Sequence, residues 1–151
     1  MFGENSHWME SMIDFTSEFG KTVKRHIDED YFIWLTTVDS NLTPQPRPVW
    51  FIWDNDSFLI FSEPKAHKVQ HIKKHKNIAL HFNTADAKGE QDVIVFVGEA
   101  TLDWNGPSPH EVPAYVKKYK TGITELGMSS EEMGDKYSVA IRVKPISVRG
   151  W

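Results

Sequence analysis

The order of apolar and polar residues predicts one amphipathic helix followed by a series of short strands. Apolar residues recur at spacings of three and four over residues 9–27, and Lys24 and Arg25 lie near the end of this segment. After residue 30 the pattern changes to short β-branched and aromatic runs separated by turn residues. These runs predict six strands, at 31–38, 48–53, 57–62, 78–83, 92–102 and 138–143.

The connections between these runs indicate the fold class. Helical patterns cover residues 65–76 and part of 109–136, but most of the strands follow one another directly. This order favours a mainly β, α+β fold in which an antiparallel sheet closes into a small barrel, and it argues against a doubly wound α/β sheet. The 151 residues suit one domain, with an N-terminal helical segment at 1–28 and the barrel at 29–151. Gly98, inside the fifth strand, predicts a bulge or bend.

Prolines at positions 44, 46 and 48 directly precede the apolar run Val49 to Trp53. Successive residues of a strand point their N–H groups to opposite edges, so prolines at every second position remove the donors from one edge only. We therefore expect this segment where the sheet opens. Two explanations stay open: the prolines protect an edge from aggregation, or they leave a gap that a ligand occupies.

The composition and charge of the chain exclude several classes of partner and of functional site. A formal net charge of −4 gives no attraction to nucleic acid or to anionic membranes. The absence of cysteine excludes disulfides, thiolate metal sites and cysteine nucleophiles. The N-terminal residues lack a secretory pattern and no segment reaches the length of a membrane span, so a cytoplasmic protein is expected. The aromatic share of 13%, with six Trp, suits either a large core or a site for a flat ligand.

Two motifs in the predicted second helix concern ligands. His67, His71 and His75 share one stripe, but this stripe lies opposite the apolar face and among lysines, so we expect a solvated surface and no metal site. The helix start, "FSEPK", has Ser62 at the expected cap and Pro64 in the first turn. Together with Lys65 and Lys68, such a helix end suits a phosphate group, although Glu63 also fits an ordinary capped helix.

The segments "LTTV", "PQPRPVWF", "FSEP", Lys68 and "NIALHF", in this order, resemble the pyridoxamine 5'-phosphate oxidase-like family of FMN-binding split β-barrels. They are most similar to its small branch of flavin- and deazaflavin-dependent oxidoreductases. The resemblance covers residues 31–102 well and the C-terminal "VAIRVKPISVRGW" weakly. Asn41-Leu42 in the first turn and Lys76 before the fourth strand depart from the family pattern of Asp-Gly and proline.

The resemblance implies a homodimer of six-stranded Greek-key split barrels with two cofactor sites at the subunit interface. It places the cofactor ring along Arg47, Pro48, Val49 and Trp50, and the cofactor phosphate at Phe61, Ser62 and Lys68, with Lys65 as an addition. An Arg47 side chain at the pyrimidine end of the ring would stabilise the negative charge of the reduced cofactor. Arg149 and Trp151 are further candidates, because the last strand of the family ends near the ring.

The expected function is hydride transfer between FMN or an 8-hydroxy-5-deazaflavin and a small organic substrate, with the chemistry carried by the cofactor and no catalytic side chain named. The sequence does not distinguish the two cofactors. The alternative is a non-catalytic carrier or stress protein that binds flavin or haem. In the haem version, His67, His71, His75 or His81 would be the axial ligand. A barrel without any ligand is the remaining interpretation.

Overall fold

The structure is a computed structural model that describes residues 13–84, 89 and 91–151. Within these residues the α-helices are α1 (Glu18–Glu29), α2 (His67–Lys74), α3 (Pro113–Glu125) and α4 (Ser130–Lys136), and a 3-10 turn spans Pro109–Glu111. The strands are β1 (Ile33–Val38), β2 (Pro44–Val49), β3 (Ile52–Asp54), β4 (Ser57–Ser62), β5 (Asn77–His81), β6 (Ile94–Asp103) and β7 (Val139–Gly150). No helix in these described ranges is both long and apolar enough to cross a membrane.

All seven strands belong to one sheet, in the order β2-β1-β5-β6-β7-β4-β3, and every pairing is antiparallel. The mainly β split-barrel prediction is confirmed, but the prediction of six strands is wrong. The additional strand arises because residues 44–54 form two strands rather than one. Pairing with β1 ends at Val49. After Trp50 and Phe51, the chain pairs with β4 from Ile52 onward.

The proline segment is itself the outer strand β2, and not the loop that the apolar pattern predicted for residues 39–47. Pro44, Pro46 and Pro48 lie opposite Val38, Thr36 and Trp34 of β1. The residues between the prolines keep their N–H groups, so β2 can donate toward β1 while its outer edge offers carbonyl groups only. The expectation that these prolines lie at an edge of the sheet is confirmed.

The hydrophobic core has two parts. The larger part lies between α1, α2 and one face of the sheet, and it contains Val23, Ile27, Phe51, Phe58, Phe82 and Phe96. The smaller part joins α3 and α4 to β3 and β4, and it contains Ile52, Leu59, Phe61, Tyr115, Tyr119, Ile123 and Met133. The candidate site lies beside this smaller part.

The first helix is shorter in the structure than the apolar pattern at residues 9–27 predicted. Residues 9–12 of that prediction lie outside the described residues, and α1 begins at Glu18. Ser17 is its N-cap, and the Ser17 hydroxyl accepts a hydrogen bond from the Gly20 N–H at 3.0 Å. A local serine cap therefore determines this start more closely than the periodicity of apolar residues does.

The bulge at Gly98 is confirmed, and it explains why β7 is longer than predicted. The β6–β7 register shifts between Val97 and Gly98, where a Cβ atom on Gly98 would lie 2.5 Å from the carbonyl oxygen of Lys144. Pro145 faces this bulge, so the strand can include a proline and continue to Gly150. The apolar pattern ends at Val143 because Lys144 and Pro145 interrupt it.

Candidate cofactor site

A cavity of about 240 Å³ opens where β2 ends, between the sheet and helices α3 and α4. It is lined by Phe32, Pro48, Val49, Trp50, Phe61, Lys68, Tyr115, Leu126, Met133 and Tyr137. Five of the eight residues predicted to bind the cofactor are among them: Pro48, Val49, Trp50, Phe61 and Lys68. The end of β2, the end of β4 and the start of α2 therefore meet at one cavity, although Trp50 and Phe61 are 11 positions apart in the chain.

Helix α3 fixes the indole ring of Trp50. This ring stacks on Tyr119, with centroids 4.4 Å apart and planes 4° from parallel, and Tyr31 contacts it edge-on at 5.6 Å. Gly122 permits this close approach, because a Cβ atom there would lie 2.8 Å from the Trp50 ring. The ring therefore has little freedom to move before a ligand binds.

Side chains of α3 also replace the strand hydrogen bonds that are missing at the break between β2 and β3. The Phe51 N–H donates to the Tyr119 hydroxyl oxygen at 2.7 Å, and this hydroxyl lies 2.9 Å from the carbonyl oxygens of both Phe51 and Tyr31. Lys118 Nζ donates to the Phe51 carbonyl oxygen at 3.0 Å. Burial raises the pKa of Tyr119, so its hydroxyl stays protonated at neutral pH and remains a donor.

Lys68 supplies a cationic wall of the cavity. Burial lowers the pKa of Lys68, and the nearby Arg47 guanidinium lowers it further, while Glu63 acts in the opposite direction. Glu63 forms its ion pair with Lys136, at 3.4 Å. A half-buried ammonium beside a second cation is a favourable environment for an anionic group such as a phosphate.

The predicted cap of the second helix is wrong. Ser62 is the last residue of β4, where it pairs with Val139, and its buried hydroxyl donates to the Glu63 carbonyl oxygen at 3.0 Å. Helix α2 begins only at His67, and its N-cap, Ala66, makes no side-chain hydrogen bond. The strand continues through Ser62 because sheet pairing satisfies its backbone groups better than an isolated helix turn would.

Four further candidates besides Ser62 lie outside the cavity lining: Lys65, Arg47, Arg149 and Trp151. Lys65 is exposed in the turn before α2. Arg47 is exposed on the edge strand, where its guanidinium donates to the Pro46 carbonyl oxygen at 2.7 Å. Arg149 and Trp151 are exposed at the end of β7, and Trp151 has 83% of its surface accessible. Within one chain, a ligand in the cavity would contact none of these side chains directly.

The histidine stripe of α2 is only partly solvated, contrary to the prediction. His71 Nδ1 lies 2.8 Å from the Thr37 hydroxyl, because α2 packs across β1. His67 is exposed and its ring stacks on that of His71 at 6.3 Å. In the described part of the chain, no group of three or more His, Asp or Glu side chains is placed to hold a metal ion.

The sequence reasoning missed the wall that α3 and α4 contribute. Tyr115, Tyr119 and Ile123 recur at intervals of four and share one buried face of α3. This spacing was visible in the sequence, but it could not show whether the face packs on the sheet or encloses a site. Phe32 and Leu126, which also line the cavity, are large apolar residues with 47% and 53% of their surface exposed.

The residues present fit a flat cofactor that carries a phosphate. Half of the lining residues are aromatic, the outer edge of β2 presents carbonyl acceptors, and Lys68 supplies positive charge. The volume lies below the roughly 300–1,000 Å³ that is usual for ligand sites. One chain therefore supplies only part of an enclosure for such a molecule.

Comparisons with known proteins agree with this fold. Residues 19–151 match the family model described as "Pyridoxamine 5'-phosphate oxidase". A conserved hypothetical protein from Mycobacterium tuberculosis aligns with a TM-score of 0.72 at 16% identity, over 89% of this chain and 84% of that chain. An F420 reductase aligns with a TM-score of 0.63 at 20% identity, over 83% of this chain and 94% of that chain.

The haem storage protein HutZ from Vibrio cholerae shares the same fold, with a TM-score of 0.59 at 11% identity, over 85% of this chain and 91% of that chain. No curated protein matches the chain. At these identities the solved structures show a common fold only. The family model, in contrast, covers most of the chain, including β2, Lys68 and helix α3. The chain therefore belongs to the pyridoxamine 5'-phosphate oxidase family.

Proposed function

We propose that this protein is a flavin-class oxidoreductase that binds FMN or an 8-hydroxy-5-deazaflavin in the cavity beside β2. The observation that carries the proposal is the meeting of a fixed aromatic ring, Trp50, with a half-buried ammonium, Lys68, in one cavity. These are the two groups that a planar ring and a phosphate need. Membership of the family and the fold shared with an F420 reductase support the same choice.

In this proposal Lys68 binds the phosphate, and Arg47 adds positive charge from the strand edge. Pro48, Val49 and Trp50 contact the ring. Bound cofactor would supply the hydride chemistry. The described lining residues include no carboxylate, so the protein would bind, orient and desolvate the cofactor rather than move protons with a carboxyl group. The substrate would be a small organic molecule.

Replacing Lys68 tests the phosphate assignment. Loss of a charge-assisted hydrogen bond costs about 1.5–3 kcal/mol, so Lys68→Met should weaken FMN or deazaflavin binding roughly 10- to 100-fold. Lys65→Met is the matched control, because Lys65 lies three residues away, is exposed and does not line the cavity. Titration of each variant by absorbance gives the affinities. Equal affinities for the wild type and Lys68→Met would contradict the assignment.

A non-catalytic carrier is the second candidate, because the fold is shared with a haem storage protein and with a general stress protein from Bacillus anthracis. His67, His71, His75 and His81 are not among the residues that line the cavity, so the haem version has little support there. Turnover distinguishes an enzyme from a carrier. Reduced cofactor in an enzyme should be reoxidised faster with a small organic acceptor present than by oxygen alone.

We further propose that two copies form a symmetric dimer that encloses the cofactor at the interface. The small volume of the cavity and the exposed apolar residues Phe32 and Leu126 beside it support a covering partner. Leu126→Glu should weaken the dimer and release cofactor together with it. Leu42→Glu is the control, because Leu42 is exposed in the distant β1–β2 turn. Cofactor retained by a monomer in sedimentation velocity would contradict the proposal.

A further inference from the structure

A second cleft, of about 570 Å³, lies on the other side of α3, between α1, β3 and α3. It shares no lining residue with the cofactor cavity. Its base is apolar and consists of Ile27, Ile52 and the ring of Trp53. Ile27 and Ile52 are buried, and Trp53 is held edge-on against Phe58 at 4.9 Å. The volume lies within the range of ligand sites in proteins.

The rim of the cleft is positively charged although the chain as a whole has a net charge of −4. Lys24, Lys117 and Lys118 line it, together with one carboxylate, Asp28. Lys24 Nζ contacts both carboxylate oxygens of Asp28, at 2.6 and 2.7 Å. The opposite charges of Lys24 and Asp28 cancel. Lys117 and Lys118 therefore make the net charge of the residues lining the cleft positive.

Of Lys117 and Lys118, Lys118 gives the stronger indication of an anion site. Its ammonium is half-buried, 3.0 Å from the Phe51 carbonyl oxygen and 3.6 Å from the centroid of the Phe51 ring. Both of these partners are neutral, and an ammonium has three N–H donors. Burial lowers the pKa of Lys118 to about 8, even though Asp30 and Asp28 favour the charged form. A partly desolvated ammonium with a neutral hydrogen-bond partner would be stabilised by an anionic one.

We propose that this cleft is a second ligand site, which binds a small organic anion with a flat apolar body, such as an aromatic carboxylate. The carboxylate pairs with Lys118 and Lys117, and the ring lies on Trp53 and Ile52. The site is separate from the cofactor cavity. Its ligand does not depend on whether that cavity binds a flavin, a deazaflavin or neither.

The test is calorimetric titration of the full-length protein with 1-naphthoate, and with 1-naphthalenemethanol as a neutral analogue of similar shape. We expect 1-naphthoate to bind at least tenfold more tightly than the alcohol. Lys118→Met and Lys117→Met should each weaken 1-naphthoate binding at least fivefold. Lys120→Met should leave it unchanged, because Lys120 is exposed on the same helix and does not line the cleft.

A measurement on the wild type covers the case in which Lys118→Met does not fold. Brief acetylation followed by mass spectrometry reports the reactivity of each amine, and 1-naphthoate should protect Lys118 several-fold more than Lys120. FMN binding to Lys117→Met should equal that of the wild type. Absence of 1-naphthoate binding, equal binding of the alcohol, or equal protection of Lys118 and Lys120 would overturn the proposal.

Discussion

Among the residues that the structure describes, Leu42 has a backbone conformation poorly suited to its side chain. Its φ angle is +62°, in the left-handed region, and its N–H donates to the Asp39 carbonyl oxygen at 2.9 Å to close the β1–β2 turn. The Asp39 carboxylate accepts hydrogen bonds from the N–H groups of Asn41 and Thr43. The resemblance implies Asp-Gly at the positions of Asn41-Leu42, and in the structure a left-handed residue closes this turn.

Leu42→Gly should stabilise the protein. A side chain in the left-handed region costs about 1–2 kcal/mol, and little burial is lost because 67% of Leu42 is exposed. Glycine also adds flexibility to the unfolded chain, so we expect a net gain of about 0.5–1 kcal/mol. Urea unfolding measures it. Leu42→Ala, which keeps the Cβ atom, should match the wild type. A Leu42→Gly variant less stable than the wild type would refute this account of the turn.

At the residue scale, the sequence predicted much of the cavity but not its full lining. Pro48, Val49, Trp50, Phe61 and Lys68 line it because the ends of β2 and β4 and the first turn of α2 face the same cavity. The assignment of Ser62 as a helix cap failed, since competition between strand pairing and helix capping is decided by the position of β7. Such tertiary contacts are not visible in a local motif.

At the element scale, polar and charged side chains attach α1 to Asp92, two residues before β6. The two ring nitrogens of His26 lie 2.7 Å from Asp30 and 2.8 Å from Asp92, and Arg25 contacts the same Asp92 oxygen at 2.6 Å. Burial alone would lower the pKa of His26, but the hydrogen bonds to both carboxylates outweigh it and raise that pKa. The hydrogen bond from His26 lowers the pKa of Asp92.

These shifts predict how stability changes with pH. A raised pKa in the folded state means that the His26 contribution is complete below the unfolded value of about 6.5 and is lost as pH rises through the folded value. The lowered pKa of Asp92 makes its contribution disappear on acidification instead. Stability from this cluster should therefore decline as the pH rises above about 6.5.

Thermal unfolding across pH 6 to 8 tests this prediction. The His26→Gln variant should be less stable than the wild type at pH 6. Its stability should also fall much less than that of the wild type as the pH rises to 8. His67→Gln is the control, because His67 is exposed. The interpretation fails if the wild type and His26→Gln show the same slope.

Helix α3 illustrates why elements could be predicted more easily than their roles. The sequence indicated helix somewhere within 109–136, and the structure has α3 and α4 there. What the pattern could not reveal is that Lys118 and Tyr119 bond to the backbone of Phe51, 67 and 68 residues away. Those contacts hold the break between β2 and β3, and so they determine where Trp50 lies.

At the scale of the whole molecule, the split between β2 and β3 organises the chain. One strand completes the β1 side of the sheet and the other completes the β4 side, while α3 and α4 cover the gap between them. The ordered motifs predicted the fold class, because all of them except Lys68 lie on strands of the same sheet or directly after one. They did not predict the seventh strand, since residues 39–47 contain turn residues and prolines without the apolar run that marks the other strands.

The central claim is that the cavity beside β2 holds a flavin-type cofactor. The most direct test is the visible absorption spectrum of the purified protein, recorded before and after addition of FMN and, separately, of a deazaflavin. We predict a saturable spectral shift, with one cofactor bound per chain, for at least one of the two. No shift with either cofactor would contradict the claim, while leaving the fold and the family unchanged.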